Sequence, residues 1–285
     1  MTAESKTQTG KQETLQSTFA RLKEKGEKAF VPFNLLGYPS RESCLNCLLG
    51  LIEGGATALE LGIPFSDPIA DGPLIQQASH TVLKSGFTVD QALSIVKEVK
   101  KRHPQIPVII LTYYNIALAR GADTFLKHLK EAGVDGVTFV DLPVEEFEEI
   151  HGKIVENGLS PVMLISPLTP EERLAQILKY ATGFLYLISR AGVTGMQDTY
   201  HQHLSKRIKS IKKLSSLPIL VGFGISTTEQ AQSMINLGAD GVIVGSKILD
   251  LINHCEKEKG KVAADSLRDY TAAMVESINS LNIKQ

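Results

Sequence analysis

Cysteine is scarce in this chain, with three among 285 residues, so no disulfide framework supports the fold. Net charge is nearly absent as well: 30 Lys and Arg stand against 31 Asp and Glu, a formal charge of −1. No strong global field therefore draws the protein to nucleic acid or to an anionic membrane. No apolar run approaches the roughly 18 residues that a membrane-crossing helix needs. The opening stretch MTAESKTQTGKQ lacks the apolar core of a signal peptide, and residues 1–13 read as a disordered arm. A glycine-rich dinucleotide turn is missing after the first apolar run, which counts against an open nucleotide-binding sheet. These absences point to a reduced, soluble protein of the cytoplasm or an organellar stroma. What is present is a 43% hydrophobic content, enough for a full core, in a length that suits one large α/β barrel or two modest domains.

One local pattern recurs: a helix end, a glycine, then a short apolar run. It appears at Gly55–Glu60, at Gly133–Thr138 and at Gly238–Ile243. Glycine just past a helix takes positive φ cheaply and closes the last turn. The short apolar runs that follow read as strands buried on both faces, as in parallel sheets. Eight such strands are expected, near 30–35, 57–61, 108–112, 136–140, 161–165, 184–188, 219–222 and 241–244. Helical patterns separate them near 40–54, 72–84, 88–102, 121–132, 145–157, 170–181, 203–215 and 227–237. Residues 14–25 form an extra amphipathic helix placed to cover the barrel bottom, and 246–281 read as the eighth helix with a C-terminal extension. No linker interrupts the series, so 14–285 is expected to be a single (β/α)8 barrel domain.

In that architecture the active site lies on the loops after the strands. The richest such stretch is LELGIPFSDPIADGP, residues 59–73. Glu60 lies inside an apolar strand, where partial desolvation favours its neutral form and suits it to proton transfer near neutrality. An ion-paired structural carboxylate is the alternative, because buried acids need partners. Asp71 precedes Gly72-Pro73 and is expected either to cap the next helix or to act as a loop carboxylate kept ionised by solvent and helix N–H groups. Gly222-Phe223-Gly224-Ile225-Ser226 and Gly245-Ser246 follow the seventh and eighth strands, the recurrent phosphate site of the fold. Turn glycines are the plainer reading. Ser189–Gly195 and the polar stretch to His203 form either a mobile lid or an ordinary surface loop.

Taken together, LELGIPFSDPIADGP, YLISRAGVTG, VGFGIS, GVIVGS, FVPFNLLGYP and FVDLPVEE resemble the tryptophan synthase alpha subunit family, over about Phe30 to Ile248. The resemblance implies a lyase that cleaves indole-3-glycerol phosphate by a retro-aldol reaction, giving indole and glyceraldehyde 3-phosphate, in L-tryptophan biosynthesis. It implies Glu60 as the general acid/base, Asp71 as the partner of the indole N–H, and Tyr186 as a residue that helps position Glu60 or the substrate. The phosphate is implied to sit against Gly195, Phe223, Gly224, Gly245 and Ser246. Indole contacts would come from Phe33, Leu111 and Tyr113, for which plain barrel core is the alternative. Arg190 and Thr194 belong to the lid, with Thr194 meeting Asp71 on closure. No cofactor and no metal is implied in this chain. A beta subunit carrying pyridoxal phosphate is the implied partner, in an α2β2 complex docked through Pro64–Asp71, Asp141–Glu146 and Arg190–His203.

Other signals carry less. Cys44 and Cys47 form a C-x-x-C pair, but within an apolar helical pattern and with no second pair, so they read as buried thiols rather than zinc ligands. His201 and His203 stand on a polar stretch without further ligands. The basic cluster Lys206–Lys213 reads as a solvated helix face. The rival functions are a stand-alone indole-releasing lyase, a catalytically silent binding barrel, and another phosphate-sugar barrel enzyme. Intact Glu60 and Asp71 count against the silent barrel.

Overall fold

The computed structural model describes residues 14–188, 197–222, 224–257 and 262–280. In chain order its elements are α1 (Leu15–Lys25), β1 (Ala29–Leu35), α2 (Arg41–Glu53), β2 (Leu59–Gly62), α3 (Pro73–Lys84), α4 (Val89–Arg102), β3 (Val108–Thr112), α5 (Tyr114–Arg120), α6 (Ala122–Glu131), β4 (Gly136–Phe139), α7 (Glu148–Glu156), β5 (Ser160–Pro161), β6 (Met163–Ile165), α8 (Glu171–Tyr180), β7 (Leu185–Ile188), α9 (Gln197–Leu214), β8 (Ile219–Gly222), α10 (Thr228–Asn236), β9 (Gly241–Val244), α11 (Ser246–Lys257) and α12 (Ala263–Asn279).

All strand pairs are parallel, in the order β5-β4-β3-β2-β1-β9-β8-β7-β6. The two ends of that order are the halves of one strand, so the sheet closes into the expected (β/α)8 barrel. The fifth expected strand is broken for a local reason. Ser160 and Val162 donate to β4, through Asp135 O at 2.9 Å and Val137 O at 3.0 Å, so residue 161 faces β7. Proline there has no N–H to give, and the β7 ladder starts only at Met163.

The register fixes what fills the lumen. Each strand pairs with the next so that one circuit of the ring descends by the shear of 8 known for this architecture, about one residue per strand. Side chains alternate in and out along each strand. The bottom layer is therefore Ala58, Gly136, Phe184 and Gly241. Above it lie Val31, Ile109, Val162 and Leu220, and then Glu60, Thr138, Tyr186 and Ile243. Phe33, Leu111, Leu164 and Gly222 form the rim. The outward residues, such as Leu59, Leu61, Val137 and Leu187, pack under the helices in a separate cluster.

Helix α1 covers the bottom as expected. Thr14 caps it in a capping box with Ser17. Leu15 is fully buried and sits where side chains on Gly136 and Gly183 would fall, and Phe19 packs on Phe184 with ring centroids 5.5 Å apart. Gln16 Nε2 donates to Ser160 Oγ at 2.9 Å. The recurring glycines adopt the positive φ that their position demands, 95° at Gly55, 88° at Gly133 and 106° at Gly238.

Two helices depart from the sequence reading. The seven-residue α5 is unanticipated: it is short and has no side-chain cap. Helix α9 starts at Gln197 rather than 203, so residues 197–203 of the segment assigned to the lid are helical. The basic cluster on α9 is only partly a solvated face, because Lys212 pairs with Asp240 at 2.8 Å and Arg207 donates to Thr169 O. Cys44 and Cys47 are buried in α2, and burial pushes both thiols up to about 12. No helix among the described residues is long and apolar enough to cross a membrane.

Candidate active site

In LELG of β2, Leu59 and Leu61 face the helices and Glu60 faces the lumen. Its carboxyl is fully buried, and Oε1 has no hydrogen-bond partner among the described residues. Burial, with a smaller push from the charge of Asp71, raises its pKa from 4.5 to about 8. Among the described residues no Lys, Arg or His forms an ion pair with Glu60, so the ion-paired alternative finds no support there. Tyr186 lies in the same layer. Burial raises its pKa well above the ordinary value, with the charges of Glu60 and Asp71 adding to the shift. Its ring packs against Gly222, where a Cβ would fall 2.5 Å from Cε2.

Asp71 sits on the β2–α3 loop, and the cap reading fails for it. Gly72 is the N-cap residue, with no side-chain cap bond, and Pro73 opens α3. Instead the Tyr113 hydroxyl donates to Asp71 Oδ2 at 2.9 Å and accepts from the Ala70 N–H at 3.0 Å. The Tyr113 ring stacks on Phe65 of the same loop, with centroids 4.8 Å apart. Asp71 is half-buried, and burial raises its pKa against the opposing bond from Tyr113. Among the described residues no helix N–H donates to its carboxylate, contrary to expectation. Both acids move upward, but the large displacement belongs to Glu60.

The rim above this layer is apolar. Phe33 lies against Gly62 and Gly245, where added Cβ atoms would fall 2.8 and 3.4 Å from its ring. Leu111 is half-buried beside Gly62 in the register. Tyr113, assigned to the indole wall, is buried just past β3 and engages the β2–α3 loop. Across the mouth, Gly224 turns with φ 78°, and Gly245 precedes the first residue of α11, Ser246, accepting from the Ile248 N–H at 2.9 Å. Gly195, Phe223, Arg190 and Thr194 lie outside the described residues. A cavity of about 580 Å³ opens at this end between the loops after β4 and β6, lined among others by Asp141, Leu142, Leu164, Ser166 and Ile188.

A desolvated acid, a loop carboxylate and glycine-rich turns thus share one end of a barrel. The family model described as tryptophan synthase alpha chain matches residues 19–279. The chain belongs to the tryptophan synthase alpha chain family. The alpha chain of Methanoregula boonei is 40% identical over 262 residues, covering 91% of this chain and 96% of that one. An Escherichia coli alpha chain is 41% identical over 252 residues, 88% and 94% of the two. Among solved structures, the alpha subunit from Legionella pneumophila superposes with a TM-score of 0.86 at 34% identity, over 93% of this chain and 98% of that one. As a member of that family the chain is a lyase of tryptophan biosynthesis that cleaves indole-3-glycerol phosphate, and membership implies a beta-subunit partner. A stand-alone lyase is not favoured.

Two features of the site were missed in the sequence. One is the tie from Tyr113 to Asp71, which spans 42 residues in the chain. The other is Thr138, which the register places in the layer of Glu60.

Proposed function

We propose that Glu60 is the proton-transfer group of the cleavage and that Asp71 accepts the indole N–H. Glu60, with its pKa near 8, is largely protonated at neutrality and can give a proton to carbon 3 of the indole. The ring nitrogen then carries positive character, which the carboxylate of Asp71 offsets. The same Glu60, now ionised, takes the proton from the hydroxyl on the carbon next to the ring. That C–O becomes the aldehyde carbonyl, the carbon–carbon pair returns to the ring, and Glu60 regains its proton. Two acids with separated pKa values divide acid and electrostatic work in this way. The buried carboxyl of Glu60, whose Oε1 has no hydrogen-bond partner among the described residues, carries this reading, because a structural acid would have a partner.

In the same proposal Tyr186 positions Glu60 or the substrate, and Phe33 and Leu111 flank the indole. Tyr113 lines that pocket while it also holds Asp71. The phosphate lies on Gly224, Gly245 and Ser246 with Gly195 and Phe223, and Arg190 and Thr194 belong to the lid. The first N–H groups of α11 suit an anion. Residues 14–285 act as one barrel domain, a reading supported by α12, which packs against Gly50 of α2 and its C-cap residue Gly54 and whose Asn279 Oδ1 accepts from the Lys28 N–H at 2.7 Å. We further propose a cytoplasmic α2β2 complex in which the beta subunit, not this chain, carries pyridoxal phosphate. The test is indole release from indole-3-glycerol phosphate with and without a beta subunit. Slow turnover that rises on addition of the beta subunit is expected. Full activity in its absence would count against the partner-dependent assembly.

A further inference from the structure

The lumen layer that holds Glu60 contains a second unpaired polar atom. Thr138 is fully buried, and its Oγ1 has no hydrogen-bond partner among the described residues. Its place follows from the register. Gly136, two residues earlier on β4, faces the lumen, because a Cβ there would fall 2.8 Å from Leu15 of the α1 plug. Alternation turns Thr138 to the same side. Glu60 pairs with Ile109 and Ile109 with Gly136, and the tilt of the strands adds about one residue per step, which brings Thr138 to the height of Glu60. Its neighbours Val137 and Phe139 belong to the outer core beneath the helices.

A buried hydroxyl left without a partner destabilises the fold. An apolar side chain of the same shape would avoid that cost, and the other lumen positions of β3, β6 and β8 are apolar. Thr138 thus adds a polar group, facing the axis, to a wall that packing alone would make apolar. Glu60 Oε1, also unpaired, faces the same axis. Above both stands the apolar rim of Phe33, Leu111 and Leu164. A substrate whose flat ring meets that rim presents its hydroxyl-bearing chain to this layer.

We propose that Thr138 is a specificity-determining residue whose hydroxyl hydrogen-bonds a hydroxyl of the substrate's glycerol chain beside Glu60. This rests on the cleavage assigned above and extends it: the site selects a hydroxylated chain, not only an indole and a phosphate. A hydroxyl offers one donor and two acceptors, so it can pair with a glycerol hydroxyl whichever of the two donates.

The experiment uses the full chain with Thr138→Val, which removes the hydroxyl and keeps the shape, and Thr138→Ser, which keeps the hydroxyl. Two quantities are read: kcat/KM for indole-3-glycerol phosphate, and the Kd of an indole-propyl phosphate that lacks the glycerol hydroxyls. Thr138→Val is expected to lower kcat/KM about 10-fold, the scale of one lost hydrogen bond. Thr138→Ser should restore most of that loss. The analogue's Kd and the melting temperature should not worsen in Thr138→Val. Unchanged kcat/KM in Thr138→Val overturns the proposal. So does an equal loss for substrate and analogue, which would mean altered packing, and so does failure of Thr138→Ser to recover. A parallel Glu60→Gln variant separates the two readings: full turnover there overturns the acid/base assignment, while the substrate-versus-analogue difference in Thr138→Val is judged on its own.

Discussion

The two ends of the barrel lumen are built from the same alternation of strand residues and differ in how they are closed. At the bottom, Ala58, Gly136 and Gly241 are too small to fill the ring beside Phe184, and α1 completes the layer with Leu15 and Phe19. The polar side chains Gln16 and Ser160 at that end are paired with each other at 2.9 Å. Two layers higher, Glu60 and Thr138 are as deeply buried but carry polar atoms that find no partner among the described residues. The first arrangement lowers the free energy of the fold. The second raises it, since a buried polar group without a partner is costly. Stability at one end thus offsets a destabilising constellation at the other, the pattern expected where a site must meet a substrate rather than itself.

The largest effect should come from removing the unpaired acid. Glu60→Gln is expected to cut indole-3-glycerol phosphate cleavage by about 10²-fold or more, the range for a lost acid/base group, with the fold retained. Its stability should move the other way. Because the pKa of Glu60 rises from 4.5 to about 8, the folded protein keeps a proton across that window which the unfolded chain has released. Folding stability therefore falls as pH rises through the window, at up to about 1.4 kcal/mol for each pH unit. Glutamine does not titrate, so the variant should match the parent near pH 4.5 and exceed it at about pH 8 and above. Chemical denaturation at the two pH values measures this. A parent whose stability is flat over that range would mean that Glu60 is paired or solvated.

The opposite change tests the bottom. Leu15→Ala removes the plug side chain and opens a cavity against Gly136 and Gly183, at an expected cost of about 2–5 kcal/mol. Activity per folded molecule should hold, because two apolar layer intervals separate Leu15 from Glu60. A denaturant midpoint that drops while kcat stays constant sharpens the contrast between the ends. A kcat that falls with stability would join them.

The ring itself was legible in the sequence because each glycine-to-apolar-run boundary is local: a positive φ closes a helix, and a buried strand follows. Glu60 stood out for the same reason, as a lone carboxylate in an apolar run. What was not legible depends on pairing across strands. Thr138 lies in LELG's layer only because Glu60, Ile109 and Gly136 pair in sequence and the strands tilt, and no stretch of chain carries that offset. The strand break at 161 is the reverse case: the proline is visible, but which neighbour residue 161 faces is set by register. The start of α9 was missed because residues 197–203 are polar and lack an apolar period.

Asp71 shows how a nearby motif can mislead. An acid before Gly-Pro reads as a helix cap, yet glycine caps α3 and the carboxylate turns to a tyrosine from the next strand end. That tie supplies the smallest of the expected effects. Tyr113→Phe keeps the ring stack on Phe65 and removes both the bond to Asp71 and the acceptor for the Ala70 N–H. The lost bond opposes the burial that raises Asp71, so the variant's Asp71 should have a still higher pKa and be harder to keep ionised. The expected loss in kcat/KM is about 10-fold, from one charge-assisted hydrogen bond of about 1.5 kcal/mol. The loss should grow as pH falls, since protonated Asp71 cannot accept the indole N–H. Asp71→Asn should exceed it and show no such growth. An equal loss in Tyr113→Phe at all pH values would reduce Tyr113 to a wall of the pocket, and the loop carboxylate would then owe its ionisation to the protein around it and not to that hydroxyl.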